Sequence, residues 1–413
     1  MRRDSVSKYF CSDEYFNSPD PFGSVPRRLR PISLENAVSF LKNNTNSGLP
    51  FYRKKGEVKE LVKSNFTELL SRKDDCLLFT RTQESGKTRT VWGYPVADTL
   101  NEMRYYRPVL QHQRKLSWRS ALLGPEAVDV SMTRLINMAK YLEQSLLSID
   151  FELYDASVKP RLQRGAFNYL SSLFLDDYQD DLFNIEDRFS NIGLITPDGI
   201  YGGYHGIPSG STFTNEVGSI VQFLCANSSG IKDTHLEVQG DDGAYVVEDP
   251  DKLKEAFSSF GLPINEEKSY ISSSSLVYLQ NLYSTTYADV NGNIRGIYPT
   301  YRALNRIIYL ERYDDFSADG IIGADYYSIR TICILENCKN HPLFSELVKF
   351  VVKLDKFNLQ YSQEGLVTYI RRMKQSSGSE GIIKHRYGDN VSGINTFQTV
   401  KVLSEIIRGV SPY

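Results

Sequence analysis

Two adjacent carboxylates, Asp241 and Asp242, stand in a short turn between two apolar runs. The runs 236–239 and 245–247 predict two strands, with residues 240–243 as the turn that joins them. Adjacent carboxylates repel each other, and a tight turn needs at most one Asp. A divalent metal ion explains the pair better, since two Mg²⁺ ions about 3.5–4 Å apart can clamp both oxygens of a phosphoryl displacement. For the tripeptide Gly240-Asp241-Asp242 taken alone, an acidic turn exposed to water is the commoner explanation.

A third carboxylate, Asp150, ends a predicted strand that lies 91 residues before Asp241. The carboxyl end of a strand is where the sites of α/β proteins usually open. The Asp150 side chain can therefore reach the acidic turn if the two strands are neighbours. Asp155 follows five residues later in a predicted turn, and an N-cap is its simplest explanation when it is taken alone.

The segment 206–215, Gly-Ile-Pro-Ser-Gly-Ser-Thr-Phe-Thr-Asn, combines a loop with the start of a predicted helix over 211–226. Ser209 and Gly210 lie in that loop at the helix N-terminus, where backbone N–H groups favour phosphate. An ordinary loop with a Ser or Thr cap is the alternative, and it is the simpler one for this segment alone.

Basic residues alternate along the segment 81–93, which predicts a strand, a turn and a second strand. Because successive side chains point to opposite faces of a strand, Lys87 and Arg89 share a face and can bind a triphosphate. An edge strand protected by its charges is the alternative.

The charges are distributed unevenly along a chain whose net charge is only −2. Residues 1–120 contain 22 Lys and Arg against 13 Asp and Glu, whereas the rest contain 26 against 37. This distribution suits a protein that binds a polyanion with one part and metal ions with another. The five Cys form no metal-binding spacing, and no apolar stretch is long enough to span a bilayer. We therefore expect a reduced, intracellular protein without structural zinc and without a membrane partner.

The order of the predicted elements favours one three-layer α/β core with helical flanks over three separable domains. Apolar spacing predicts helices over 133–147, 163–175, 211–226, 343–354 and 397–408. It also predicts a helix capped by Asp251 and a strand over 278–283. The segment 176–205 is predicted as an acidic, loop-rich excursion.

In order and spacing these segments resemble the motifs of viral RNA-dependent RNA polymerases. The first three palm motifs are matched by Asp150-x4-Asp155, by Ser209-Gly-x3-Thr214 and by Gly240-Asp-Asp. Four further motifs resemble Ser47-Gly-Leu-Pro-Phe51 (template channel), Lys87-x-Arg89 (fingers), Lys268 (fourth palm motif) and 278–283 (fifth palm motif). The strings at 206–215 and 89–92 are most similar to the partitivirus and picobirnavirus group of double-stranded RNA viruses. One departure is Gly218, which stands where many relatives have Asn.

The resemblance implies a right-hand polymerase of α/β class with an α+β palm. Fingers would comprise residues 1–146 and 161–206, the palm 147–160 and 207–284, and a helical thumb 285–413. The reaction would be template-directed transfer of a nucleoside monophosphate from an NTP to an RNA 3′-OH.

The resemblance also implies a role for each site residue. Asp150, Asp241 and Asp242 would bind Mg²⁺, for which Mn²⁺ could substitute, and Lys268 would protonate the departing pyrophosphate. The NTP would be bound by Lys87, Arg89, Asp155, Ser209, Gly210, Thr214 and Asn215. Of these, Asp155, Ser209, Thr214 and Asn215 would contact the ribose 2′-OH. Ser47, Gly48 and Pro50 would contact the template.

The expected partners are single-stranded and double-stranded RNA, NTPs and a viral capsid protein, in the virion interior and the host cytoplasm. A non-catalytic RNA-binding or particle-scaffold protein derived from a polymerase remains an alternative, as does a two-metal nuclease. A reverse transcriptase fits less well, because that family generally has Tyr-x-Asp-Asp where this chain has Gln239-Gly-Asp-Asp.

Overall fold

A computed structural model describes residues 2–11, 16–21, 23, 28–82, 88–310, 316–317, 320–377 and 393–407. The chain divides into two compact units. The first comprises residues 1–81, 88–122 and 134–279, and the second comprises 82–87, 123–133 and 280–413.

The first unit contains both strands and helices. Its strands are residues 76–81 of β1 Cys76–Thr82, β2 Thr88–Gly93, β3 Ser145–Ile149, β4 Leu194–Thr196, β5 Gly199–Tyr201, β6 Leu236–Gln239, β7 Asp242–Val247, β8 Tyr270–Ser272 and β9 Ser275–Tyr278. Its helices are α1 Arg2–Ser7, α2 Leu34–Ser39, α3 Lys55–Ser64, α4 Phe66–Ser71, α5 Val96–Gln113, residues 134–142 of α6 Pro125–Leu142, α7 Tyr154–Ser157, α8 Pro160–Ser172, α9 Gln179–Asn191, α10 Thr214–Ser228 and α11 Pro250–Ser259.

The central sheet of this unit is antiparallel and has the strand order β6-β7-β3-β8. The inner strand β3 is apolar on both faces, since its adjacent residues Leu146 and Leu147 are both fully buried. The sheet is therefore covered on both sides at β3. A second sheet, β2-β1-β4-β5, contains a parallel β1–β4 pair and an antiparallel β4–β5 hairpin.

Helix α10 lies at the centre of the first unit, where it packs against α8, α11 and β6. Its residues from Glu216 to Ala226 are all buried, so it is a core helix and not an amphipathic surface helix. Buried polar groups require hydrogen-bond partners. Glu216 accepts a hydrogen bond from Arg119 Nη2 at 2.9 Å, and the partners of Ser219 and Gln222 lie at the site described below.

The second unit is mainly helical. Its described elements are β10 Asn281–Ser284, α12 Thr300–Ile308, α13 Gly323–Leu335, α14 Phe344–Leu354, α15 Gln363–Ser377 and α16 Gln398–Ile407, together with residues 125–133 of α6. Residues such as Ile329, Val348 and Leu366 from α13, α14 and α15 form its fully buried core.

Four sequence predictions were wrong. The helix predicted over 133–147 ends at Leu142, and residues 145–147 belong to β3. The segment 176–205 is not loop-rich, because it contains α9 and the β4–β5 hairpin. The N-cap of α11 is Asp249 and not Asp251: its side chain accepts hydrogen bonds from the N–H groups of Asp251 and Lys252, and Pro250 occupies the first helical position. The strand predicted over 278–283 is interrupted at Leu279 and Gln280, whose φ angles of 49° and 65° are left-handed.

Candidate active site

Asp150 and Asp242 lie at the same end of the central sheet, on neighbouring strands. Ile149 of β3 pairs with Gly243 of β7, so continuing that antiparallel register by one residue places Asp150 opposite Asp242. Asp241 precedes Asp242 in the turn that joins β6 to β7. The fold thus brings the three predicted acids to the same end of the same sheet.

The turn between β6 and β7 consists of Gly240 and Asp241, since Gln239 pairs with Asp242. Gly240 has a φ angle of 65°, a left-handed conformation that glycine adopts without the steric cost of a side chain. A two-residue turn of this kind fixes the register of the hairpin and places Asp241 at its tip.

The segment 263–269 surrounds Asp150. The Asp150 carbonyl accepts a hydrogen bond from Asn265 N at 2.8 Å, and its N–H donates to Ser269 Oγ at 3.2 Å. Lys268, from the same turn, lies with its Nζ 3.7 Å from Asp150 Oδ2. Both side chains of this ion pair are about half exposed, at 57% and 45%, so their attraction is screened by water and solvent can reach them.

Asp155 lies in the first turn of α7 and not at its N-cap, which is Leu153. The pKa of Asp155 is raised to about 7, chiefly by burial and further by the negative charge of Asp241, while Arg89 acts in the opposite direction. These interactions place Asp155 in the electrostatic field of the acidic turn and of the β2 strand.

Arg89 is an exposed residue of β2 and interacts electrostatically with Asp155. Lys87, its predicted partner in binding triphosphate, lies outside the described residues. Tyr9 also interacts with both Asp155 and Arg89: burial raises the pKa of its phenol, the Asp155 charge raises it further, and Arg89 lowers it. The N-terminal segment therefore borders the site, which the sequence patterns did not indicate.

The loop 206–213 approaches its neighbours so closely that two of its positions require glycine. A Cβ atom on Gly206 would clash with the backbone carbonyl of Asp155, and one on Gly210 would clash with that of Trp92. The Ser209 hydroxyl accepts a hydrogen bond from Trp92 N at 3.2 Å and donates to Thr90 O at 3.4 Å. In this conformation the Ser209 side chain connects the loop to β2.

Glu102 of α5 holds the same loop from the other side. Its buried carboxylate accepts hydrogen bonds from Ser211 Oγ at 2.8 and 2.9 Å and from Thr212 N at 2.7 Å. Burial raises the pKa of Glu102 to about 7, although these hydrogen bonds lower it. Nothing in the sequence pattern around Glu102 distinguishes it from other helical acids.

Thr214 and Asn215 begin α10 and both make contacts within the protein. The Thr214 hydroxyl lies 2.8 Å from Pro208 O and 2.9 Å from Ser211 O, to which it donates. Asn215 Oδ1 accepts hydrogen bonds from Gln239 Nε2 at 2.9 Å and from Arg119 Nη2 at 3.4 Å. Asn215 is thereby attached to the last residue of β6, beside the acidic turn.

The predicted template residues differ in their exposure. Ser47 and Gly48 are buried, and the Ser47 hydroxyl accepts a hydrogen bond from Arg53 N at 3.2 Å. A Cβ atom on Gly48 would lie 2.6 Å from Tyr94 O, which explains the glycine. Pro50 is exposed. Pro50 is therefore open to solvent, whereas the Ser47 side chain supports the loop from inside.

Comparison with known proteins decides the family. The model of the family described as viral RNA-dependent RNA polymerase matches residues 30–309, which is more than half of the chain. The chain belongs to this family.

Two curated relatives are also described as RNA polymerases, which agrees with the assignment of this chain to the family. It is 29% identical over 377 residues to a potential RNA-dependent RNA polymerase of a human picobirnavirus, a match that covers 83% of this chain and 68% of the relative. It is 27% identical over 222 residues to the RNA-directed RNA polymerase of Cryptosporidium parvum virus 1, a match that covers 49% of this chain and 42% of that protein.

A solved structure gives the same result for the fold. The polymerase matches the crystal structure of the RNA-dependent RNA polymerase of a human picobirnavirus with a TM-score of 0.78 and 25% identity, over 98% of this chain and 83% of that one. The predicted α/β polymerase fold and the resemblance to the picobirnavirus group are thus confirmed. The boundaries proposed for fingers, palm and thumb remain a prediction.

The chemistry of the donors at the acidic end of the sheet fits the divalent metal ions on which polymerases of this family depend. Asp150, Asp241 and Asp242 supply carboxylate oxygens, the ligands that hard divalent cations prefer. Among the described residues, no three His, Cys, Asp or Glu side chains are gathered closely enough to form a ready-made metal cluster. The strand register that places Asp150 opposite Asp242 supports this fit. A few carboxylates, together with the phosphates of the substrate, are enough to bind such ions.

Within the part of the chain that the structure describes, the polymerase has no helix long and apolar enough to span a bilayer.

Proposed function

We propose that this polymerase uses Asp150, Asp241 and Asp242 to hold two Mg²⁺ ions, for which Mn²⁺ can substitute, during transfer of a nucleoside monophosphate to an RNA 3′-OH. The observation that supports the proposal is the β3–β7 register, which aligns Asp150 with Asp242 next to the tip of the hairpin. When bound, the metal ions would activate the 3′-OH and neutralise the charge that develops on the phosphoryl group.

The residues around the acids would orient the NTP. Arg89 is exposed and sits close enough to the acidic site to affect Asp155, which suits a contact with the triphosphate. We propose the same role for Lys87 because it is next but one to Arg89 in the sequence. The Lys268 ammonium, 3.7 Å from Asp150, would donate a proton to the departing pyrophosphate.

Ribose recognition would depend chiefly on Asp155. The 2′-OH is the group that separates RNA precursors from DNA precursors, and a carboxylate can accept a hydrogen bond from it. Ser209, Thr214 and Asn215 already use their side chains within the protein. We propose that they shape the ribose pocket by holding the loop 206–213 and the start of α10 in place.

The wider assignments rest on the family. We propose that residues 1–146 and 161–206 form the fingers, 147–160 and 207–284 the palm, and 285–413 the thumb. Single-stranded RNA would be the template, with Pro50 at its path, and double-stranded RNA the product. A capsid protein as partner, in the virion interior and the host cytoplasm, is proposed from the resemblance to double-stranded RNA viruses alone.

The test is RNA synthesis by the purified chain. We expect incubation with a single-stranded RNA of mixed sequence, labelled NTPs and Mg²⁺ to yield a product complementary to the template. Chelation by EDTA should abolish the synthesis, and Mn²⁺ should restore it. Shortening of the RNA without incorporation of label would instead identify a nuclease. RNA binding with neither activity would identify a non-catalytic scaffold.

A further inference from the structure

We propose that Ser219 and Gln222 of α10 are positioning residues that hold the metal-binding turn in its active conformation. Both polar backbone atoms of Gly240 are bound by these two side chains. Gly240 N donates to Ser219 Oγ at 2.8 Å, and Gln222 Nε2 donates to Gly240 O at 3.0 Å. The residue just before Asp241 is thus fixed on both sides by the same helix.

The four contacts that α10 makes with this turn come from one face of the helix. Residues 215, 218, 219 and 222 are spaced i, i+3, i+4 and i+7, so they lie in one row along α10. Asn215 Nδ2 would lie 3.1 Å from a Cβ atom on Gly240, and a Cβ atom on Gly218 would lie 3.6 Å from Gly240 Cα. The small residue at 218 therefore lets the turn approach the helix closely.

Gln222 is itself held in a single orientation. Its Oε1 accepts a hydrogen bond from the Tyr245 hydroxyl at 2.5 Å while its Nε2 binds Gly240 O. The two partners, one a donor and one an acceptor, fix which end of the amide points to the turn. The Gln222 side chain is fully buried, and burial strengthens the hydrogen bonds that it makes.

Gly243 follows the two acids. Because it has no side chain, Gln222 can occupy the space beside it. A Cβ atom on Gly243 would overlap Gln222 Oε1 and would lie 2.7 Å from the Tyr245 hydroxyl. The glycine after Asp242 is therefore explained by Gln222 and not by the turn, which ends at Asp241.

The arrangement matters because Asp241 and Asp242 are adjacent like charges that tend to spread apart. Displacing a reacting group by 1 Å can slow an enzyme by about 10²-fold. A turn held by α10 would keep the Asp241 carboxylate at the same end of the sheet as Asp150, where both would hold a metal ion. This inference rests on the proposed two-metal function.

The test compares Ser219→Ala and Gln222→Met with a matched control, Ser229→Ala. Ser219 and Ser229 each donate to the carbonyl four residues earlier at 2.7 Å, but only the Ser219 hydroxyl accepts from Gly240 N as well. Loss of a hydrogen bond of this kind changes an equilibrium by about 2- to 12-fold. We therefore expect the dissociation constant for Mn²⁺, measured by electron paramagnetic resonance, to rise several-fold in Ser219→Ala and Gln222→Met. In Ser229→Ala it should stay at the parent value.

A second measurement follows the turn directly. In Ser219→Ala the Gly240 amide loses its acceptor, so we expect hydrogen exchange in a peptide spanning 239–243 to accelerate, with exchange elsewhere unchanged. The turnover number should fall about 10- to 100-fold while the KM for NTP and the affinity for RNA stay within twofold. Tyr245→Phe, which removes only a hydroxyl, should change Mn²⁺ affinity in the same direction by a smaller factor.

Parent-like Mn²⁺ affinity and exchange in folded Ser219→Ala and Tyr245→Phe would overturn the proposal. A parent protein that neither synthesises RNA nor binds Mn²⁺ would overturn the two-metal function itself, and the two failures are therefore distinguishable.

Discussion

Lys268 Nζ lies 3.7 Å from Asp150 Oδ2, at the end of the strand that carries the first of the three acids. Ser148 of β3 pairs with Tyr270 of β8, and Lys268 lies in the turn two residues before that strand, so the fold brings Lys268 beside Asp150. Asp150 therefore has Asp242 on one side and Lys268 on the other. An ammonium group at this position could donate a proton to the departing pyrophosphate as negative charge develops on it.

Lys268→Leu should slow bond formation with little change in NTP affinity. A lysine that acts as general acid contributes about 10²- to 10⁴-fold, and its loss should remove one limb of the pH–rate profile. Pre-steady-state incorporation at several pH values checks this. The matched control is Lys252→Leu, an exposed lysine of α11. Unchanged incorporation rates in Lys268→Leu would show that this lysine serves only as a solvated partner of Asp150.

Arg89→Ala should raise the KM for NTP more than it weakens RNA binding. A charge-assisted contact with phosphate contributes about 1.5–3 kcal/mol, which corresponds to roughly a 10- to 100-fold change. Steady-state kinetics and RNA titrations on the same preparation measure the two effects. Arg72→Ala removes another partly exposed arginine, one that pairs with Asp74, and should change neither. Weaker RNA binding with the parent KM for NTP would place Arg89 on the path of the template.

Asp155→Asn should narrow the preference for NTP over dNTP more than Asn215→Ala does. The Asn215 amide oxygen already accepts from Gln239, whereas the Asp155 carboxylate lies in the field of the active-site charges. A hydrogen bond to the 2′-OH contributes about 0.5–1.5 kcal/mol of discrimination. Competition between NTP and dNTP at one template position measures it. A larger effect of Asn215→Ala would return the selecting role to Asn215.

Gly218→Asn, which introduces the residue that many relatives have there, should not improve that preference. A Cβ atom on Gly218 would lie 3.3 Å from Cε1 of the Tyr154 ring, and the Tyr154 hydroxyl is held by Gly218 O at 2.7 Å. The ring therefore cannot easily move aside. A higher NTP-to-dNTP ratio in Gly218→Asn than in the parent would show that the pocket accommodates the side chain.

Glu102→Gln should make stability less dependent on pH. The pKa of Glu102 is raised by burial to about 7, so between about pH 4.3 and pH 7 the native state retains a proton that the unfolded state has lost. Parent stability should therefore fall as the pH rises through this window, and the glutamine variant should lack this contribution. Urea midpoints at pH 5, 6, 7 and 8 check this. A difference between variant and parent that does not grow with pH would contradict the assignment.

The sequence was sufficient to predict the three acidic residues of the site, but not the residues that hold the turn carrying two of them. Asp150, Asp241 and Asp242 could be found because local patterns, a strand end and a hairpin turn, reveal where such residues lie. Ser219 and Gln222 are ordinary helix residues in the sequence, and their contacts with Gly240 exist only once α10 packs beside the hairpin. Helix α9 was not predicted because acidic residues stand between its buried apolar residues Leu182, Ile185 and Phe189 and obscure their helical spacing.

The same limit applies to the loops. Local spacing marked Ser209 as a phosphate-site residue, but the tertiary fold directs its hydroxyl to β2. Glu102 and Tyr9 reach the site from distant parts of the chain, and no pattern within a short window could indicate that.

The measurement that tests the two-metal assignment most directly is RNA synthesis by Asp241→Asn. The amide keeps the size of the side chain but not its charge, so several kcal/mol of transition-state stabilisation should be lost, or about 10³-fold in rate. RNA binding and thermal stability should stay near those of the parent, as should all properties of the exposed control Asp177→Asn. Asp150→Asn should act alike, and the double variant should be no slower than either one. Template-directed synthesis by Asp241→Asn at the parent rate would contradict the assignment.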